Sequence, residues 1–162
     1  MTRTLVVGFG NVYRRDDGVG FVVLNALRER LGLPALAADE YGYDDLGHEV
    51  DTLFLHQLVP ELAEVVAEYD WIVFVDAHVG AIPDLIREEQ LATCYESTTV
   101  PHQLHPCTLL AMARDLYDSE PRGMLLSIRG HDFDFGEELS PQTAVLVGES
   151  VDRILASMTG GE

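Results

Sequence analysis

The chain has 162 residues, 47% of them hydrophobic and 23% charged, and a formal net charge of −18. One domain spanning residues 1–162 is expected, because this length buries a core without staples and the apolar fraction excludes global disorder. The acid excess disfavours nucleic acid and anionic membrane as partners, and no apolar run reaches the roughly 18–20 residues that cross a bilayer.

Residues 4–8 (TLVVG) read as a buried strand that ends on glycine. Residues 18–31 read as a helix with Val19, Val22, Val23, Ala26, Leu27 and Leu31 on one face, and Gly32 just past its end. Residues 34–51 have little pattern. A second strand is predicted at 52–56 and a short helix at 60–69, with Pro60 in its first turn. Residues 71–75 (WIVFV) are apolar on both faces, as a central parallel strand must be. A weak edge strand is predicted at 84–87, a helix at 106–117 with Leu109, Met112, Ala113 and Leu116 inward, and a strand at 124–129. Ser140 and Pro141 open a final helix with Ala144, Val147, Val151, Ile154 and Met158 toward the core. Strands alternating with helices predict a three-layer α/β/α sandwich on a mostly parallel, roughly five-stranded sheet.

The N-terminus runs straight into the first strand with no signal-peptide pattern, so a cytoplasmic location is expected. Cys94 and Cys107 are neither a CxxC pair nor a disulfide framework, and are expected as reduced thiols. All ten basic residues are arginine. The absence of lysine excludes a Walker phosphate loop, a Schiff-base enzyme and a Ser-Lys hydrolase.

Open α/β sheets bind ligands beyond the carboxyl ends of their strands. After the first strand comes GFGNVYRRDDGVG, residues 8–20. It is not a dinucleotide fingerprint: Tyr13 stands where the third glycine belongs, and Asp16 and Asp17 would repel a pyrophosphate. Asp17 is either a helix cap or a cation ligand, and Asp16 a solvated loop residue or cap. Asp76 follows the buried strand at 71–75 and points into the crevice or caps the next loop. Two carboxylates brought together there would repel unless a proton or cation joins them. His102 lies in the loop PHQLHP, with His105 the competing ligand three residues on. Asp17, Asp76 and His102 form an O,O,N set suited to zinc, nickel, manganese or iron. His56 ends the second strand on the same rim, or makes a structural hydrogen bond. His78 is a supporting group near the ligands or an exposed residue. His48 and His131 have no partner visible in the sequence. Cys107 paired with His102 or His105 is a weaker, nucleophilic alternative without an orienting third group.

Residues 7–11 (VGFGN) followed by 16–20 (DDGVG), then Val75-Asp76-Ala77, then Pro101-His102-Gln103-Leu104, resemble the hydrogenase maturation proteases. The resemblance covers nearly the whole chain in size and element order, and the first motif is its specific part. It implies an aspartic-type endopeptidase that removes the C-terminal extension of a [NiFe] hydrogenase large-subunit precursor. It implies Asp17, Asp76 and His102 as the metal-contacting and catalytic residues, and substrate-borne nickel, or a substitute divalent ion, as the metal, with no organic cofactor. Asn11, Asp16, His56 and Gln103 are candidate substrate contacts within or beside the same motifs. The sequence departs from the family pattern in having Asp rather than Glu at position 17, and HQLVPEL at 56–62 in place of a glycine- and threonine-rich loop. The second departure is similar to the subgroup serving cytoplasmic, NAD-linked bidirectional hydrogenases. Two competing classes remain: a non-catalytic metal-sensing assembly module that uses the same three ligands, and an aminopeptidase-like or generic metallohydrolase with its own resident ion.

Overall fold

A computed structural model describes residues 2–95 and 104–160. The first apolar run forms β1 (Thr4–Phe9), which is paired in parallel on both sides, with β2 (Val50–Leu55) and β3 (Trp71–His78). β4 (Ile86–Leu91) is an edge strand running antiparallel to β5 (Arg122–Arg129), and β5 is parallel to β3. The sheet order is β2-β1-β3-β5-β4. Helices α1 (Val19–Arg30) and α5 (Val147–Gly160) pack together on one face; α2 (Leu62–Val66) and α3 (Pro106–Tyr117) pack together on the other. A short α4 (Pro141–Ala144) precedes α5. This is the three-layer sandwich expected from the alternation of elements.

Strand alternation divides the core into two layers. Val6, Val73 and Leu126 face Val23, Leu27 and Ile154. Leu5, Val7, Ile72 and Phe74 face Leu62, Val66, Leu109 and Leu110. None of the sheet residues just named is accessible to solvent, so both faces of the central strands are covered.

Several expectations about the elements change. The edge strand lies at Ile86–Leu91 rather than 84–87, where it pairs with β5, and α2 is shorter than the expected 60–69. β3 continues through His78, because β5 keeps pairing it as far as His78 opposite Arg129. The final helix is interrupted at Val145 and Leu146; Leu146 enters the core and Ala144 is exposed. Leu116 lies on the outer side of α3, 64% exposed. No helix of the described residues is long and apolar enough to cross a membrane.

The histidines without a visible sequence partner have structural ones. His48 Nε2 pairs with Asp45, which also receives the buried Arg28 guanidinium. The His131 ring meets the Thr143 hydroxyl. His78 is buried, its ring between the Ser127 hydroxyl and the Asp84 carbonyl, so it is neither exposed nor directed at the ligand set.

Candidate active site

From β1 the chain passes first to β2 on one side and later to β3 on the other. The crevice between the carboxyl ends of β1 and β3 is therefore the topological switch point. Two glycines allow close approach there. Gly10 has φ +144°, and a Cβ on it would lie 2.1 Å from the Asp17 carbonyl oxygen. A Cβ on Gly20 would lie 2.9 Å from the Val75 carbonyl oxygen, so the start of α1 sits directly against β3. The glycine spacing of the first motif serves backbone contact, which explains why it mimics a nucleotide loop without being one.

This packing holds Asp17 in a 3₁₀ turn (Arg15–Gly18) at the crevice. Asp17 does not cap α1, whose N-cap is Gly18. Its Oδ2 accepts a hydrogen bond from the Asn11 backbone N–H at 2.8 Å. The Asn11 side-chain oxygen in turn accepts from the Tyr13 N–H, so this candidate substrate contact also shapes the loop.

Asp76 lies on β3, one residue beyond the last β1–β3 pair, Gly8 opposite Val75. Asp17, Asp76, His56 and His105 line one cleft of about 380 Å³, with Phe9 and Leu125 among its apolar walls. Burial, reinforced by the negative charge of Asp17, pushes the Asp76 carboxyl up to about 7 against the lowering effect of the Ala77 backbone N–H. Such a carboxyl is stabilised by a proton or a cation. The pair supplies oxygen donors with two potential negative charges, a fit for a divalent ion. His102 and Gln103 lie outside the described residues. Among the described residues, no further carboxylate, imidazole or thiol completes a compact three-ligand set with Asp17 and Asp76.

Asp16 corrects the sequence reading. It is fully buried, not solvated, and is unavailable as a substrate contact. The backbone N–H groups of His131, Asp132 and Ser140 donate to its carboxylate at 2.7–2.9 Å, with the Ser140 and Thr143 hydroxyls also in hydrogen-bond reach. Burial alone would raise its pKa; the donors from His131, Ser140 and Asp132 overcome that and hold it at about 2. The neighbouring motif acids are thus divided between fixing the loops and facing the cleft. A larger, open depression of about 540 Å³ beside Arg14, Arg15 and His131 contains neither Asp17 nor Asp76.

The cysteines are also corrected. Cys94 and Cys107 are joined in a disulfide, with a Cα–Cα distance of 5.2 Å. His105 caps α3, its Nδ1 accepting from the Cys107 N–H at 3.2 Å. The nearness of His105 to Cys107 in sequence suggested only a nucleophilic pair; the disulfide leaves Cys107 no free thiol for that role, and the grouping of both with Cys94 was missed.

No family model matches the chain. It is 22% identical over 161 residues to the hydrogenase 2 maturation protease of Escherichia coli K12, covering 96% of this chain and 90% of that protein. The structure of the hydrogenase maturating endopeptidase HybD from Escherichia coli aligns with a TM-score of 0.72 at 20% identity, covering 98% of this chain and 93% of the other. HybD from Thermococcus kodakarensis aligns with a TM-score of 0.60 at 20% identity, covering 95% and 97%. The fold is that of the hydrogenase maturation proteases. The resemblance read from the motifs therefore holds over nearly the full length, in sequence and in architecture.

Proposed function

We propose that the protein is an endopeptidase that removes the C-terminal extension of a nickel-loaded [NiFe] hydrogenase large-subunit precursor in the cytoplasm. The observation that carries this reading is the half-buried Asp76 carboxyl, pushed up to about 7 beside Asp17 in an accessible cleft. The similarity to maturation proteases supports the reaction class.

The nickel is part of the substrate. As the precursor docks, the Asp17 and Asp76 carboxylates face its divalent centre, and His102 is the proposed nitrogen donor. Ionisation of Asp76 strengthens the contact, while a centre without metal leaves the two carboxylates repelling each other. That difference selects loaded precursor. In the free protein Asp76 is poised between its two protonation states near neutrality. The substrate's divalent centre draws off that proton on docking, and the resulting carboxylate is the proposed acceptor of a proton from the attacking water and its donor to the leaving amine. Holding the scissile bond at this place supplies proximity. Asn11, His56 and Gln103 are the proposed contacts to the flanking peptide.

The test is incubation with large-subunit precursor, with and without nickel, read by intact mass. Shortening of the nickel-loaded form alone is expected. A precursor that keeps its mass, or one trimmed equally without nickel, overturns the reading.

A further inference from the structure

We propose that Cys94, His105 and Cys107 form a second metal site, a thiolate–imidazole chelate for a thiophilic divalent cation that exists only when the disulfide is reduced. One ligand atom from each residue lies within 4.8 Å of the other two. The two backbones are held together independently of the sulfur bond, since the Cys94 N–H donates to the Cys107 carbonyl at 3.3 Å. Reduction therefore leaves the sulfurs side by side. Cys107 stands in the first turn of α3, where the helix dipole favours a thiolate. Cys94 and His105 are half-buried, giving an ion an approach.

Two thiolates neutralise a divalent ion, and sulfur with imidazole selects the zinc, cobalt and nickel class over magnesium or calcium. Three protein donors leave a position for water or another ligand. His105 also lines the cleft of Asp17 and Asp76, so this soft site borders the carboxylate pair. Coordination through either ring nitrogen replaces the cap: binding at Nε2 moves the ring proton to Nδ1, which then no longer accepts from the Cys107 N–H, and binding at Nδ1 occupies the accepting lone pair.

The switch balances as thiol–disulfide exchange. A dithiol reductant attacks the Cys94–Cys107 bond and leaves as its own disulfide, supplying two electrons and two protons. The two new thiols lose those protons when the cation binds.

The test uses the full chain, oxidised or reduced with dithiothreitol and desalted without oxygen, and titrates it with cobalt(II). A thiolate-to-cobalt charge-transfer band saturating at one equivalent is expected in the reduced protein and not in the oxidised one, a comparison that needs no variant. Cys94→Ser and Cys107→Ser should each abolish or strongly reduce the band, and His105→Ala should weaken binding by about tenfold or more. Asp76→Asn should leave the band intact. No band in the reduced protein, an undiminished band in either serine variant, or loss of the band in Asp76→Asn overturns the proposal. Because the readout is a spectrum rather than peptide cleavage, that failure is distinguishable from failure of the processing reading.

Discussion

Asp16, fully buried, and Asp76, half-buried at the cleft, carry the same functional group and have acidities displaced in opposite directions. Around Asp16, three backbone N–H groups and two hydroxyls converge on the carboxylate, which stays ionised down to about pH 2. Around Asp76, burial and a like charge outweigh one backbone donor, and the carboxyl rises to about 7. Burial alone does not decide the fate of an acid; the supply of donors does. A saturated carboxylate ties loops together, whereas an undersupplied one remains open to a cation or a proton.

The comparison is broken most directly by Asp76→Asn. Processing of nickel-loaded precursor should fall by about a hundredfold or more, with the circular dichroism spectrum unchanged. A variant that trims at the normal rate removes Asp76 from the site. Asp16→Ala is the converse and should act on the fold. Leaving several buried donors without an acceptor should lower unfolding free energy by about 3 kcal/mol, measured by denaturant titration. Unchanged stability would show that the donors find other partners.

The pH dependence sharpens the contrast. The folded Asp76 carboxyl titrates near 7, against an ordinary value of 3.8. Between those values the folded protein holds a proton that the unfolded chain has lost, so the contribution of Asp76 to stability declines as pH rises from about 4 to 7. Each unit of difference corresponds to about 1.4 kcal/mol, and Asp76→Asn should remove the slope. Asp16 has the opposite sign: its stabilisation is present above about pH 4 and is lost as pH falls through 2. The smallest effect is expected at His56, exposed on the cleft rim. His56→Ala should raise KM a few-fold and leave kcat unchanged, a difference of about 1 kcal/mol or less.

Much of the fold was legible because its signals are local. The apolar runs gave four of the five strands, while the charged edge strand β4 was placed too early; the element alternation gave the layers, and the helix at 106–117 matches α3 to the residue. Asp17 and Asp76 were legible because parallel strands deliver their ends to one rim. Asp16 was not: the groups that satisfy it come from residues 131–143, over a hundred positions away. The Cys94–Cys107 pairing depends on how the segment after β4 meets α3, which residue spacing does not encode. The break before α5 was hidden because Val145 and Leu146 fit an apolar helical pattern equally well.

The unequal lengths of the strand ladders have a further consequence. β1 stops pairing with β3 at Val75, while β5 grips β3 as far as His78. Asp76 thus stands on a ledge, paired by β5 along one flank and without a strand partner along the other. Its main chain has little freedom left to lose when a ligand arrives, so engagement there demands adjustment from the visitor more than from the host.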